Sequence, residues 1–172
     1  DNGLPQYKQY DDEGNVTIVN SHEDATYRKI GKCPIPKLYG GLSTSLSAYG
    51  IDFSASLAYQ LGGWVIDSVY SSYMTSGDVG NNWHKDIFNR WTPENRYTDV
   101  PRLQDGDMEA NQTSTRFLTS ASYISLRNVT LGYTLPKSVL NKMKMQGLRI
   151  YLTGDNLWYK SARKGLDVRQ SF

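Results

Sequence analysis

The residues of this 172-residue chain that could bind a ligand are concentrated in one long polar segment, residues 63–122. Aromatic rings can stack on the faces of sugars or peptides, and amides and carboxylates can hydrogen-bond to their polar groups. The candidates of these kinds are Trp64, Asp67, Tyr70, Tyr73, Asn81, Asn82, Trp83 and Trp91. Packing within the segment is an alternative role for each candidate, and it is the favoured role for Trp83 and Trp91.

Residue types that carry catalysis or bind metals are present, but not at productive spacings. His22 and His84 have no second histidine or cysteine at the spacing of metal ligands. The single Cys33 has no partner for a disulfide. The acidic stretch Asp105–Glu109 could touch a cation, but a polar turn needs no such role. Phosphate loops and nucleophile elbows are missing as well. We therefore expect no metal and no cofactor, and we expect that the chain is not an enzyme.

Composition restricts the classes of protein to which the chain can belong. The net charge of +2 is small and the 19 basic residues are scattered, which argues against a nucleic-acid partner. The mean hydropathy is −0.57, and no window approaches the roughly 18 apolar residues of a spanning helix. The chain is therefore either soluble or crosses a membrane as strands, whose alternating residues keep the average hydropathy low. The 13 tyrosines and 15 glycines are typical of a β-rich protein.

A hairpin from Leu38 to Leu61 is the clearest element, because apolar and polar residues alternate along both of its arms. If Tyr49-Gly50 is a two-residue turn, the apolar residues of both arms share one face. The pairs on this face are Leu38 with Leu61, Leu42 with Leu57, Thr44 with Ala55, Leu46 with Phe53 and Ala48 with Ile51. The other face pairs Tyr39 with Gln60, Ser43 with Ser56, Ser45 with Ser54 and Ser47 with Asp52. A one-residue slip would mix the two faces, so this register is well specified.

A second hairpin begins near Tyr123 and alternates clearly from Val129 to Leu135. Ile124 and Leu126 have the opposite phase, which a bulge, or a strand rising above a bilayer, would explain. Residues 136–147 are expected to form a compact connection with one helical turn. The last strand then starts at Leu148 and runs to about Asn156.

The remaining segments are predicted to be loops. Residues 1–37 are polar and rich in turns, although Val16–Val19 has an extended pattern. Residues 63–122 are unusually long for a loop, and loops of this size are usually functional. Within them, the four-residue spacing of Trp83, Ile87 and Trp91 predicts a short amphipathic helix over Asn82–Arg90.

Two architectures fit these hairpins: a transmembrane β-barrel segment and a soluble β-sandwich. The polar faces are small and uncharged, as in a barrel lumen, and strands of roughly 10 residues can cross a bilayer at a tilt. The connections alternate short, very long and short, which is typical of periplasmic turns and extracellular loops. We therefore predict an all-β, antiparallel transmembrane β-barrel segment of about four strands with long extracellular loops. The alternative is a soluble carbohydrate-binding β-sandwich domain of a polysaccharide-degrading protein.

Orientation and extent follow from the barrel interpretation. If the short turns are periplasmic, residues 1–37, 63–122 and 157–172 lie outside the cell. Four strands cannot close a barrel, because the smallest barrels need about eight, so the chain is expected to be part of a larger protein.

Several stretches carry a family resemblance when they are taken together. They are Gly40–Ser43, Tyr59–Gly63, Arg90–Asn95, Val100–Arg102, Ser122–Tyr133 with Leu135–Pro136, and Arg149–Tyr151 followed by Asn156–Leu157. Each stretch is a weak signal, but their order and spacing agree over roughly residues 30–168. In this combination the chain resembles the C-terminal region of SusC/RagA-type TonB-dependent transporters of Bacteroidetes.

The resemblance implies an outer-membrane barrel of about 22 strands with an N-terminal plug. It also implies two protein partners: a SusD-like surface lipoprotein that captures oligosaccharides or peptides, and TonB, which pulls on the plug. Residues 1–172 would be the C-terminal portion of the barrel, with the plug and the final strand absent. Phe172 resembles the terminal aromatic of outer-membrane proteins, but residues 161–171 do not alternate, which favours truncation.

Overall fold

A computed structural model describes residues 2–74, 80–104, 110–163 and 165–170. These residues form two units. The sheet unit consists of residues 32–65 and 119–172, and the loop unit consists of residues 1–31 and 66–118. The strands are β1 (Tyr7–Tyr10), β2 (Val16–Val19), β3 (Leu38–Ala48), β4 (Ile51–Leu61), β5 (Trp64–Ile66), β6 (Leu118–Ser120), β7 (Tyr123–Thr134) and β8 (Arg149–Ser161). The helices are α1 (Ser68–Tyr73) and α2 (Lys137–Lys142), with 3₁₀ turns at Lys85–Asn89, Thr115–Phe117 and Val168–Gln170. None of the described helices has the length and apolar character needed to cross a membrane.

The sheet unit is an antiparallel sheet with the strand order β3-β4-β7-β8. The predicted register of the first hairpin is confirmed along its whole length, from Leu38 opposite Leu61 to Ala48 opposite Ile51. Tyr49 and Gly50 have φ angles of 54° and 82°. Two positive φ angles define a type I′ turn, whose twist matches that of the flanking strands. The fold class predicted from the sequence, a segment of an antiparallel β-barrel, agrees with this sheet.

The predicted bulge in β7 is confirmed at Arg127. Ser56 of β4 pairs with Asn128, but the next residue, Leu57, pairs with Leu126. Arg127 is therefore an extra residue, and it reverses the facing of every residue before it in β7. As a consequence Leu126 lies on the same face as Leu57.

The predicted end of the last strand near Asn156 is wrong, because β8 continues to Ser161. Asn128 pairs with Asp155 whereas Leu126 pairs with Trp158, so β8 also contains an extra residue at this level. Asn156 has a φ angle of 51°, outside the strand region. This irregularity shifts the alternation by one residue, which hides the second half of β8 from a search for a constant period.

The two faces of the sheet differ in character. One face carries apolar side chains from all four strands, and several of them are largely exposed, such as Leu42 at 69% and Leu152 at 76%. The other face carries Ser, Thr, Asn and Asp side chains from the same strands. Tyr59 covers Gly40 on the apolar face, where a β-carbon on the glycine would lie 2.9 Å from the tyrosine hydroxyl.

The loop unit has a small core of its own, formed by Met74, Ile87, Val100 and Phe117. The prediction of a plain loop before residue 38 is wrong, because β1 and β2 pair as a short antiparallel hairpin. Tyr7–Tyr10 lacked strict alternation, so only Val16–Val19 had the signature of a strand.

The predicted helix over Asn82–Arg90 is also wrong. The structure has a 3₁₀ turn at Lys85–Asn89, and Trp91 lies beyond it. The backbone N–H of Trp91 donates to the carbonyl of Val100, and this long-range contact replaces a helical hydrogen bond. Ile87 is buried as expected, but Phe88 is 83% exposed.

Candidate ligand-binding cleft and membrane-spanning sheet

An ion pair joins β4 and β8 across β7 on the polar face of the sheet. The Arg149 guanidinium donates from Nε to Asp52 Oδ1 at 3.0 Å and from Nη2 to Asp52 Oδ2. Gly132 lies between the two strands, and a β-carbon there would be 2.5 Å from the Asp52 carboxylate. The glycine therefore leaves the space through which the two side chains meet.

Further along, the same face is lined by hydrogen-bonded polar side chains. The hydroxyls of Thr130 and Thr153 are 2.9 Å apart. Asn128 Nδ2 donates to Asp155 Oδ1 at 2.7 Å. These contacts satisfy polar groups between neighbouring strands, as a wall beside water or a polar domain requires.

Residues 165–170 fold back onto the end of β8. The backbone N–H of Val168 donates to the Tyr159 hydroxyl at 3.0 Å, and the Val168 side chain is fully buried. The Arg169 guanidinium lies 4.6 Å from the centre of the Tyr159 ring and pairs with Asp167. The hydrogen bonds from Arg169 lower the pKa of the Asp167 carboxyl below its ordinary value of 3.8.

The loop unit contains a cleft of about 640 Å³. This volume is within the range of sites that hold small ligands, roughly 300–1,000 Å³. β1 and its flanking residues contribute one part of the lining, together with residues between 22 and 30. Residues between 91 and 101 and between 110 and 116 contribute the remainder. Trp91 packs on Gly3 in this cleft, where a β-carbon would lie 2.5 Å from the indole ring.

Three rings form an aromatic cluster on one wall of the cleft. The His22 ring makes edge-to-face contacts with Tyr7 at 5.4 Å and with Tyr27 at 5.6 Å. The Tyr27 hydroxyl lies 3.2 Å from His22 Nε2, which is also 3.3 Å from the carbonyl oxygen of Thr113. These contacts fix the three rings relative to one another, so they can offer a preformed stacking surface.

Positive charge predominates among the side chains of the cleft. Four of them are cationic, Lys8, Arg28, Arg96 and Arg116, whereas Asp99 is the acidic side chain among the described lining residues. Arg28 lies over the Tyr10 ring, with its guanidinium carbon 4.2 Å from the ring centre. Arg116 is partly buried, and this desolvation lowers the pKa of its guanidinium.

The candidate residues chosen from the sequence do not come together in one place. Trp91 lines the cleft, and its Nε1 has no hydrogen-bond partner among the described residues. Asp67 is buried, and its Oδ1 accepts a hydrogen bond from the Tyr70 backbone N–H at the start of α1. The Tyr70 hydroxyl donates to Asp86 Oδ2 at 2.9 Å, and its ring contacts His84 and Phe117.

The other candidates lie on the surface or in the sheet unit. Tyr73 is 45% exposed and Trp83 is 37% exposed. Asn81 and Asn82 are exposed. Trp64 belongs to the sheet unit, where the Lys32 ammonium lies 3.9 Å from the centre of its ring. The acidic stretch 105–109 and Phe172 lie outside the described residues.

Most of the cleft could not be identified from the sequence because residues 1–37 were interpreted as a polar, turn-rich loop. A usable signal was present: Tyr7, Tyr10 and Tyr27 alternate with the cations Lys8 and Arg28 in this stretch.

Comparisons with known proteins agree with this architecture. The chain matches no protein-family model. It is 27% identical over 172 residues to a TonB-dependent receptor of Formosa agariphila, covering 100% of this chain and 16% of that receptor. It is 27% identical over 176 residues to the TonB-dependent receptor SusC of Bacteroides thetaiotaomicron, covering 97% of this chain and 16% of SusC.

A solved structure gives the same result. The structure of the RagAB peptide transporter matches with a TM-score of 0.74 and 30% identity over 96% of this chain and 18% of the matched chain. The chain thus spans about a sixth of the length of the relatives it matches, 16% in both cases above. Sequence and fold together identify the chain as a β-barrel segment of the SusC/RagA type of TonB-dependent transporter.

Proposed function

We propose that the chain forms part of the wall and the extracellular loops of an outer-membrane nutrient importer. The sheet supports this proposal, because its exposed apolar face is suited to lipid and its hydrogen-bonded polar face is suited to a barrel lumen. The relatives are named as receptors or transporters rather than enzymes, which agrees with a role in transport without catalysis.

The proposed orientation places the short connections at the periplasmic side. The Tyr49-Gly50 turn and the α2 connection lie at one end of the sheet, since Ile51 at the start of β4 pairs with Tyr133 near the end of β7. The long segment between β4 and β7 then lies on the outer surface, together with the β1–β2 hairpin.

The proposed partners are those implied by the family. A SusD-like surface lipoprotein would deliver an oligosaccharide or peptide, and TonB would act through a plug domain in another part of the protein. Residues 1–172 would be the C-terminal portion of the barrel. The relative in the RagAB structure is a peptide transporter, which makes peptides as well as glycans suitable substrates to test.

The proposed ligand contacts include the exposed candidates Tyr73, Asn81, Asn82 and Trp83, in addition to Trp91 in the cleft and Trp64 in the sheet unit. Asp67 and Tyr70 are better explained as structural residues, because each is engaged with neighbouring groups. Contact with the lipoprotein is an alternative role for the exposed aromatic residues.

The soluble β-sandwich is less well supported than the barrel. In a sandwich the apolar face of this sheet would pack against a second sheet and would be buried. Instead, Leu42, Leu46 and Leu152 are each more than 60% exposed.

The test is to locate the full-length transporter and measure its uptake activity. An epitope-tagged copy should fractionate with the outer membrane and copurify with a surface lipoprotein. A deletion strain should lose uptake of the labelled oligosaccharide or peptide that the wild type imports. Recovery of the tagged protein from the periplasm, or uptake that is unchanged in the deletion strain, would contradict the proposal.

A further inference from the structure

We propose that the cleft of the loop unit binds a carboxylate-bearing ligand, held by the cleft cations and stacked on the aromatic cluster of Tyr7, His22 and Tyr27. The inference rests on the proposed function, since the ligand would be the imported substrate. Oligosaccharides and peptides differ in most of their chemistry. An anionic group that needs no modification in either class is a carboxylate, as a uronate in the former and as an acidic side chain or C-terminus in the latter.

The first argument is the charge of the lining residues. Lys8, Arg28, Arg96 and Arg116 line the cleft with a single described carboxylate, Asp99. The ion pairs of the described residues involve other side chains. No described carboxylate lies within 4.0 Å of any of the four cations. Asp99 attracts Arg116 from a longer distance. A carboxylate that enters the cleft would therefore meet four cationic side chains and one described anionic side chain, which favours its binding.

The second argument is that the arginines retain free hydrogen-bond donors. A guanidinium has five N–H groups arranged to match a carboxylate. Arg116 donates from Nη1 to the carbonyl of Ala110 at 3.3 Å, and Arg96 donates from Nε to the carbonyl of Pro93 at 2.9 Å. Each of these bonds uses one donor, so several remain for a ligand.

The third argument is preorganisation. Arg28 is held over the Tyr10 ring, and Tyr7 and Tyr27 are held by their contacts with His22. A planar cation beside fixed rings suits a ligand that presents both a carboxylate and a face for stacking. A neutral ligand would use the rings but would leave the cations uncompensated.

Binding should be measured by calorimetry on the purified full-length transporter with matched pairs of probes. One pair is tetragalacturonate and its methyl ester, and the other is an octapeptide rich in Asp and Glu and its amide counterpart with Asn and Gln. The acidic member of at least one pair should bind, and its affinity should fall at least about tenfold in the esterified or amidated member. The responding pair distinguishes a glycan from a peptide ligand.

The variant R28Q/R116Q should weaken binding of the acidic probe at least about tenfold. The matched control K142Q/K144Q removes two positive charges from the short α2 connection and should leave the affinity unchanged. R116K provides a second test: because it keeps the charge, it should retain more affinity than R116Q if both proteins assemble in the outer membrane.

Three results would overturn the proposal: no binding of either acidic probe, neutral probes binding as tightly as acidic ones, or equal affinity in R28Q/R116Q and the control. The proposed function fails separately. A protein that binds the acidic probe, but whose deletion leaves uptake unchanged, would retain the site and refute the import role. A protein that imports only neutral substrates would retain the import role and refute the carboxylate site.

Discussion

Gly132 is important because of the space it leaves between two charged side chains. A β-carbon at this position would lie 2.5 Å from Asp52 Oδ2 and 2.8 Å from Arg149 Nη2. We expect G132A to separate the ion pair and lower the temperature at which the full-length barrel unfolds by a few degrees, measured by its heat-modifiable migration on gels. G147A is the matched control, because nothing lies within 4 Å of that position.

A double-mutant cycle isolates the cause of this effect. In a D52N/R149Q background, G132A should lower the unfolding temperature less than it does in the wild type, since the ion pair is already lost. An equal decrease in both backgrounds would mean that the added methyl group acts on the backbone instead.

The pair formed by Asp167 and Arg169 predicts a pH dependence for residues 165–170. The hydrogen bonds from Arg169 lower the pKa of Asp167 in the folded state. The stabilisation is therefore complete above the ordinary pKa of 3.8 and is lost as the pH falls through the lower folded value. We expect amide exchange in this segment, corrected for intrinsic rates, to be slow at pH 7 and to rise below about pH 4.

The variant D167N should show faster exchange of the same amides already at pH 7. D12N, in the turn between β1 and β2, is the control and should leave the exchange of residues 165–170 unchanged. Protection that is identical in D167N and the wild type would exclude the ion pair as the cause.

At the scale of elements, the two faces of β4 should respond differently to charge. An arginine on the lipid face near the middle of a bilayer costs roughly 2–4 kcal/mol, whereas a lumen position tolerates it. F53R and L57R should therefore reduce the amount of folded transporter in the outer membrane strongly, and S54R and S56R should reduce it weakly. Equal losses from both faces would contradict the assignment of the apolar face to lipid.

The bulge at Arg127 keeps the residues before it on the apolar face, and deletion of Arg127 tests this role. Without this residue, Ile124 and Leu126 would turn to the polar face, because each lost residue reverses the facing of the strand beyond it. We expect deletion of Arg127 to impair outer-membrane assembly, as measured by heat-modifiable folding. R127A keeps the chain length and should assemble normally, so failure of both variants would point to the side chain instead.

Elements with a constant period could be predicted from the sequence, and irregular elements could not. The β3–β4 hairpin was predicted residue by residue because a one-residue shift in register would move every leucine of one strand to the polar face. The second half of β8 was missed because Asn156 interrupts its period. The 3₁₀ turn at Lys85–Asn89 was predicted as a longer helix because Trp83, Ile87 and Trp91 have helical spacing. The backbone N–H of Trp91 is instead bonded to the carbonyl of Val100.

Most of the cleft could not be predicted from the sequence, for a different reason. Its walls come from residues that are distant along the chain, such as Tyr7 and Arg116, and no local period links them. One local signal was present, since tyrosines and basic residues alternate near the start of the chain. Their convergence is a property of tertiary structure.

At the scale of the whole molecule, the sheet has two long edges without partners among the described strands. β3 and β8 each pair on one side only, and the sheet also exposes an apolar face. Open edges of this kind invite pairing with other chains. We expect residues 1–172, expressed alone, to aggregate in buffer without detergent, as measured by sedimentation. A monodisperse soluble monomer would contradict the barrel assignment.

The lengths of the connections between the strands also set an order of assembly. The turn at Tyr49-Gly50 closes β3 on β4 with two residues, whereas pairing of β4 with β7 must wait for residues 62–122 to be spanned. Closing a loop about thirty times longer costs roughly 3 kcal/mol more in chain entropy. The two hairpins should therefore form first and join later. The loop unit, with a core of its own, can fold in the interval and bring the ends of β4 and β7 within reach of each other.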